Sequence, residues 1–431
     1  MKVGIGILGF GTVGGALLRK LVQEAESISA KTGLELDVVK VAVRDLAKVR
    51  VVDLADGVLT DTPDDVVNDP GVQLVVEIMG GEDPAGDLVA AALQAGKPVV
   101  TANKALIAAR GEELLTLAES AGVPLLFEAA VGGGIPIIRP LSETLAGEQI
   151  DRVLGIVNGT TNYILTRMSE EGTSYKTALA EAQELGYAEA DPSADVSGAD
   201  SAAKAAILAS LAFGTWVSVE TVYTEGIERV DPIDVRIAGE LGYTVKLLAV
   251  AENTAKGVSV RVHPTFLPND HPMAVIRGAT NAIFVEGPSF DQLLFAGPGA
   301  GGEPTATALL GDVVDAAREL LAGAQVVPPI RFQPGRIMDF ADIATTWYLR
   351  LEVVDRPGVL AQIAGVFGSH DVSIKSVWQE GEDDEATLLL VTHATEERSQ
   401  QASLEALRAL DVVDEVAAVF RVEGAGPTPN L

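Results

Sequence analysis

The sequence has no cysteine and only four histidines: His263, His271, His370 and His393. Without a thiol there is no disulfide, no thiolate metal site and no cysteine nucleophile. No histidine pair has HExxH spacing, so a histidine-built metal centre is not expected. Positive charge is also scarce. Lys and Arg number 31 against 61 Asp and Glu, a net charge of −30. A nucleic-acid binder needs clustered cations to displace counterions, which this balance excludes. Any anionic ligand must be held by a few placed cations or by backbone N–H groups. Long unbroken apolar runs are missing too. Met1-Lys2 and the run from Val3 to Leu18 superficially resemble an export signal, but Gly9, Gly11, Gly14 and Gly15 interrupt it and no cleavage site follows. The run from Ala205 to Val219 is shorter than the roughly 20 residues that span a bilayer. Both runs read as core, with no membrane partner and the cytoplasm as the expected compartment.

What the chain does have is length and apolar content: 431 residues, 48% hydrophobic. At roughly 150 residues per domain that is material for about three. Over residues 2–127, strand-like runs (3–8, 38–43, 74–78, 98–101, 124–127) alternate with helical stretches (13–25, 84–95, 105–120). Such alternation predicts a parallel sheet with helices on both faces. From about residue 128 the pattern becomes α+β, with an alanine-rich helix over 201–213 and strands over 258–262 and 282–285. Pro328, Pro329 and Pro334 mark a linker. Residues 347–424 then read as strand (348–354), helix (359–369), strands (372–379, 386–393), helix (400–409) and strand (416–422). That βαββαβ order predicts a separate two-layer regulatory or binding module. Residues from 424 onward are expected to fray.

Gly9-Phe10-Gly11-Thr12-Val13-Gly14 fits GxGxxG. The pattern alone is weak, but here it follows a strand and opens a helix, the context a Rossmann-like dinucleotide site requires. Gly9 permits the tight turn, Gly11 lets the backbone approach a pyrophosphate, and Gly14 allows close helix–strand packing. The helix N-terminus adds unpaired N–H donors and about half a positive charge. An NAD site expects an acidic residue at the end of the second strand. Glu35 and Asp37 are expected before that strand, as solvated turn residues. Arg44 stands at its end, followed by Asp45; a guanidinium there suits a 2′-phosphate. NADP is therefore preferred, with NAD tolerated.

The stretch from Ser197 to Leu208 carries Asp200 and Lys204 four residues apart. At about 100° per residue, Asp200, Lys204, Ile207 and Leu211 share one helix face. The other faces are nearly all alanine, so the helix should be buried. A buried lysine is costly unless paired, and a paired one suits proton transfer to an alcohol or carbonyl oxygen. Glu189 and Asp200 bracket Lys204 in sequence. Two carboxylates and one ammonium leave net negative charge, matching a substrate with its own ammonium group, such as an amino acid. Thr101-Ala102-Asn103-Lys104 follows a predicted parallel strand, where open sheets bind ligands. Lys104 is thus a second candidate cation, for a substrate carboxylate or the cofactor. The loop from Glu128 to Pro136 is either a domain crossover or a curl whose carbonyls, with Glu128, hold a hard cation. The glycine-rich stretch from Gly297 to Thr305 either returns to the cofactor or merely turns.

These residues together resemble homoserine dehydrogenases. The likeness runs through the glycine turn, 101–104, 128–136, Val157-Asn158-Gly159-Thr160-Thr161-Asn162-Tyr163-Ile164-Leu165, Gly186-Tyr187-Ala188-Glu189 and Asp195 to Lys204. The C-terminal module resembles an ACT domain, as in threonine-inhibited members. No kinase-like segment precedes the first strand, the pattern expected of the monofunctional form. The resemblance implies reversible NAD(P)-linked interconversion of L-aspartate 4-semialdehyde and L-homoserine, in threonine and methionine biosynthesis. It implies that Lys204 is the proton donor, that Glu189, Asp200 and Lys104 bind substrate, and that Lys104 and Gly186 lie against the cofactor. It further implies that Glu128 with the carbonyls of Val131, Gly133 and Ile135 binds a monovalent cation, usually sodium. Gly301 would close on the dinucleotide, and a homodimer is expected. The implied divisions are 1–129 for the nucleotide domain with a returning helix at about 303–325, 130–302 for catalysis and dimerisation, 326–346 as linker, 347–424 as ACT domain and 425–431 as tail. Asp371 stands where many amino-acid-binding ACT domains carry Asn.

Aspartate-semialdehyde dehydrogenase would use the same metabolite, but it needs the thiol this chain lacks. Prephenate dehydrogenase also joins a dinucleotide fold to an ACT unit, without the Asp200–Lys204 helix. A catalytically silent amino-acid sensor on a dehydrogenase fold is the remaining alternative, and it gives no reason to bury a lysine.

Overall fold

The computed structural model describes residues 2–323, 329–382 and 385–424. The expected tail 425–431 and part of the expected linker lie outside the described residues. The chain opens with β1 (Lys2–Leu8), α1 (Thr12–Gln23), α2 (Ala25–Thr32), β2 (Glu35–Ala42), β3 (Leu59–Thr60) and α3 (Pro63–Asn68). It continues with β4 (Leu74–Glu77), α4 (Ala85–Gln94), β5 (Val99–Thr101), α5 (Lys104–Ala121) and β6 (Leu125–Leu126). All six strands are parallel, in the order β3-β2-β1-β4-β5-β6. The order reverses between β1 and β4, which places the ligand crevice at their carboxyl ends. Both strands are covered on their two faces, so Ile5, Ile7, Leu8, Leu74, Val75 and Val76 are fully buried and read as unbroken apolar runs.

β2 begins at Glu35, so Glu35 and Asp37 are strand residues, not turn residues. They occupy its N-terminal end, where Asp37 pairs with Lys2 at 3.0 Å. The ligand end of β2 belongs to Arg44.

The next elements are β7 (Arg152–Ile156), α6 (Gly159–Glu171), α7 (Tyr175–Glu184), α8 (Ser193–Val196), α9 (Ala199–Phe213), β8 (Tyr223–Thr224) and α10 (Pro232–Glu240). They are followed by β9 (Tyr243–Thr254), β10 (Gly257–Pro268), β11 (Thr280–Gly287), β12 (Asp291–Pro298) and α11 (Gly302–Ala322). The C-terminal elements are β13 (Ala344–Val354), α12 (Val359–Ser369), β14 (Ile374–Glu382), β15 (Glu385–Thr392), β16 (Thr395–Glu396), α13 (Glu397–Arg408) and β17 (Val413–Val422). Among the described residues no helix is long and apolar enough to cross a membrane.

Two compact units result, one from Met1–Gly159, Ala203–Glu220 and Thr280–Gly335, the other from Thr160–Ala202, Thr221–Ala279 and Arg336–Leu431. In the first, β7, β11 and β12 form an antiparallel ladder. Helix α11 joins the core of the parallel sheet: Ala306, Leu309, Val313, Ala316 and Ala317 share one cluster with Val3, Ile5, Ile7, Leu17 and Leu18. Each large member contributes about 1.5–3 kcal/mol by leaving water.

In the second unit, β9 and β10 form a long antiparallel hairpin. The C-terminal strands run antiparallel in the order β17-β13-β15-β14, over a core that includes Trp347, Leu351, Ile363, Phe367, Leu390 and Leu407. This is the expected βαββαβ layout, but the module is not separate. Its strand β17 also pairs in parallel with β10, Thr265 opposite Arg421 and Phe266 opposite Val422. Phe266 lies 4.6 Å from Tyr348 and 4.7 Å from Phe420 between ring centroids. Arg350 holds the fully buried Asp234 through two bonds, 2.7 and 3.1 Å. Removing one partner of a buried pair costs about 3–5 kcal/mol. Truncation before Trp347 is therefore expected to lower the melting temperature and solubility, not simply to free the rest from regulation. A truncated chain that melts like the full one would contradict this.

Candidate active site

The glycine turn joins β1 to α1, and its three glycines meet three different demands. Gly9 has φ +113°, and a Cβ there would lie 2.7 Å from the Ile78 carbonyl oxygen. At Gly14 a Cβ would lie 2.8 Å from the Gly9 carbonyl oxygen, so helix and turn touch backbone to backbone. At Gly11 nothing lies within 4 Å of that position, the open side a pyrophosphate needs. Gly11 is also the N-cap of α1 and offers no side-chain cap, which leaves the first N–H groups to a ligand. Phe10, Thr12 and Val13 complete the turn, and Thr12 meets a second helix start. A Cβ on Gly302 would lie 3.2 Å from Thr12 Cγ2 and 3.3 Å from its carbonyl oxygen. Gly301, at φ +117°, is the N-cap of α11. The second glycine-rich loop thus returns to the first.

Past the end of β2, Arg44 is exposed. Beside it, Asp45 Oδ1 accepts the Ala47 amide at 2.8 Å. Arg50 closes this loop, donating to the carbonyls of Asp45, Lys48 and Leu46. Its guanidinium carbon lies 5.5 Å from the Phe10 ring centroid. Sequence reading missed Arg50, although Arg44, Lys48 and Arg50 form a basic cluster that stands out in so acidic a chain.

Lys104 is the first residue of α5 and is half-buried. Asn103 caps that helix, its Oδ1 accepting the Leu106 amide at 3.2 Å. Asn103 is itself held by Thr101 and by the Gly81 carbonyl. Beneath them lies Glu77, fully buried at the end of β4, which sequence reading passed over as strand.

Glu128 is buried after β6 and accepts the amides of Ile137 (2.6 Å), Ile138 (2.8 Å) and Arg139 (3.0 Å). This amide clamp was not anticipated. The Glu128 amide donates to Asp312 Oδ2 at 2.8 Å, and Arg139 donates to Asp312 Oδ1 at 2.6 Å. Burial pushes the Asp312 carboxyl up to about 7, against the pull of the Arg139 guanidinium. Between Glu128 and Ile137 the chain curls through Gly132 (φ +77°) and Gly133 (φ +58°). A Cβ on Gly133 would lie 2.5 Å from the Gly299 backbone. Val131 and Ile135 are buried in this curl. Among the described residues no group of three or more His, Cys, Asp or Glu is placed to hold a metal.

Lys204 lies on α9 and is 8% exposed. Its Nζ donates to the Val157 carbonyl at 2.7 Å, just past the end of β7. Neighbours Ser201, Ala205, Ile207 and Leu208 are buried, as the alanine-rich pattern predicted. Asp200 is one turn earlier on the same helix. Gly186 and Glu189 belong, with Asp200, to the second unit. Gly186 has φ +77° just after α7, and Glu189 is exposed. Their loop is tied back by Thr160 Oγ1 to the Tyr187 carbonyl at 2.6 Å. Gln183 Nε2 also donates to the Glu189 carbonyl, at 3.1 Å.

Family models for the homoserine dehydrogenase NAD-binding domain, for homoserine dehydrogenase and for the ACT domain match residues 9–128, 136–314 and 347–412. A homoserine dehydrogenase of Corynebacterium glutamicum is 46% identical over 426 residues, 98% of this chain and 96% of that protein. The chain belongs to the homoserine dehydrogenase family. A crystal structure of the enzyme from Thiobacillus denitrificans has TM-score 0.93 at 42% identity, covering 99% of each chain. A hyperthermophilic archaeal homoserine dehydrogenase in complex with NADPH has TM-score 0.64 at 32% identity, over 77% of this chain and all of that one. As a homoserine dehydrogenase this chain is an NAD(P)-dependent oxidoreductase, built from a nucleotide-binding parallel sheet, a catalytic part and an ACT domain. The glycine turn, with its open Gly11 and uncapped helix, is the feature of the family's nucleotide domain most directly visible here.

Proposed function

We propose that the chain interconverts L-aspartate 4-semialdehyde and L-homoserine, with NADP preferred and NAD accepted. The observation that carries this reading is Lys204, buried in an apolar helix and tethered to the Val157 carbonyl. An ammonium has three N–H donors; the tether fixes its direction with one of them. In the reductive direction Lys204 gives a proton to the aldehyde oxygen, and in the oxidative direction it takes one from the hydroxyl. The nicotinamide supplies or accepts the hydride. Glu189 and Asp200 hold the substrate ammonium, while Lys104 binds substrate carboxylate or cofactor. Gly186 and Gly301 close on the dinucleotide, and Arg44 meets the 2′-phosphate. The archaeal relative in complex with NADPH supports the phosphorylated cofactor.

The same proposal gives Glu128 and the carbonyls of Val131, Gly133 and Ile135 a monovalent cation, sodium. A set dominated by neutral carbonyls suits a weakly charged hard ion better than a divalent one. Threonine is the proposed ACT effector, in a pathway leading to threonine, methionine and isoleucine, in a cytoplasmic homodimer. Asp371 occupies a left-handed position (φ +59°), which Asn and Asp tolerate best among residues other than glycine; its side chain fits the backbone where many amino-acid-binding ACT domains carry Asn. The proposed domains are those set out from the sequence, with α11 as the returning helix.

A spectrophotometric assay of homoserine oxidation with NADP or NAD, with and without threonine and with sodium or a bulky organic cation, tests these assignments. Turnover only with homoserine, faster with NADP and sodium and slowed by threonine, is expected. Arg44→Ala should raise the KM for NADP at least about tenfold, the size of one hydrogen bond to a charged group, and spare NAD. Equal losses with both dinucleotides would remove Arg44 from the 2′-phosphate site.

A further inference from the structure

Glu77 is the last residue of β4, opposite Leu8 of β1 and Thr101 of β5 in the ladder. It is therefore at the crevice where strand order reverses, and it is fully buried. A carboxylate at the centre of a sheet is unfavourable unless its oxygens are met. They are met from two directions. Oε1 accepts the amides of Met79 (2.7 Å) and Gly80 (3.4 Å). Oε2 accepts the Thr101 hydroxyl at 2.6 Å. Burial pushes its pKa up, and these donors pull it back.

The two directions lead to different parts of the cofactor domain. The Met79–Gly80 turn carries Ile78, whose carbonyl underlies Gly9 and whose Cδ1 would lie 3.0 Å from a Cβ on Gly14. The Thr101 hydroxyl, which donates its hydrogen bond to Glu77, accepts the Asn103 amide at 3.0 Å. Asn103 Nδ2 reaches Gly81 O at 2.6 Å and Glu77 Oε1 at 3.5 Å, while its Oδ1 caps α5. Lys104 is the next residue.

We propose that Glu77 is a positioning residue that sets Lys104 through the Thr101–Asn103 relay. This rests on the role given above to Lys104. A carboxylate is suited to the task because it only accepts hydrogen bonds and so fixes the direction of every donor around it. Glu77→Gln keeps the volume but replaces one acceptor by a donor. Its NH2 would point at the Thr101 oxygen and compete with the Asn103 amide.

The test is a double-mutant cycle at saturating NADP, with kcat and the KM for homoserine measured separately and melting followed in parallel. Glu77→Gln should lower kcat/KM at least about tenfold, the effect of losing one hydrogen bond to a charged group. Combined with Lys104→Ala, it should lower kcat/KM no further than about twofold beyond Lys104→Ala alone, since positions in one network do not add. Thr101→Val removes only the relay hydroxyl and should show the same non-additivity. It decides the matter if Glu77→Gln does not fold. Additive losses, or wild-type kcat/KM in both relay variants, would overturn the proposal. Wild-type turnover in Lys104→Ala alone would overturn the reading of Lys104, and the Glu77 relay with it.

Discussion

Lys204→Met is expected to lower kcat at least about a hundredfold, the lower end of general acid–base catalysis, while NADP binds almost as before. Methionine is close in length and stands on a helix that buries the apolar Ala205, Ile207 and Leu208 around it. The variant loses the ammonium and leaves the Val157 carbonyl without its 2.7 Å partner. An unmet buried carbonyl costs about 1–3 kcal/mol, offset in part because a buried charge has been removed. The fold should therefore survive and the chemistry should not. Steady-state rates with homoserine, together with fluorescence titration of the dinucleotide, separate the two effects. Turnover near that of the unmodified chain would end the assignment of Lys204 as proton donor.

The second large effect is expected at Gly11. Its φ of −84° and ψ of −154° suit any residue, and its Cβ direction is empty to 4 Å. Gly11→Val should consequently fold, losing about 1 kcal/mol because valine is a poorer N-cap than glycine. Its methyl groups would fill the space in which a pyrophosphate reaches the helix N–H groups. Losing two charge-assisted bonds, about 1.5–3 kcal/mol each, predicts at least a hundredfold weaker dinucleotide binding. Gly14→Val is the contrast. There the new carbon would meet the Gly9 carbonyl at 2.8 Å, and the protein should lose stability before binding can be measured. If both variants bind NADP normally, the pyrophosphate does not lie on this turn.

How legible these features were depended on whether local pattern or distant packing made them. The strands β1, β4 and β5 were readable because they are buried on both faces, and Lys204 because alanines surround it in sequence. β3 was not. Leu59–Thr60 is too short to show a period, yet it forms the edge of the parallel sheet beside β2. α2 buries only Ile28 and carries a weak apolar stripe. Glu77 escaped notice because it sits within an apolar run, with Val76 before it and Ile78 after it, and only the tertiary fold brings Thr101 beside it. The amide clamp at Glu128 joins residues 9 to 11 apart in sequence, but its Asp312 partner comes from far along the chain. The C-terminal βαββαβ order was plain. Its attachment to α10 and β10 was hidden because the residues that make it, Asp234 with Arg350 and Phe266 with Val422, each look like ordinary strand or helix positions.

Helix α11 has a consequence for how this protein is made. The parallel sheet is encoded in the first 126 residues, but Leu309, Val313 and Ala316, which finish its core, emerge from the ribosome much later. At about 5–20 residues per second, the nascent sheet waits roughly ten to forty seconds with one apolar face uncovered. Until that helix has been translated, the apolar face it covers stays open to water and to other exposed apolar surface.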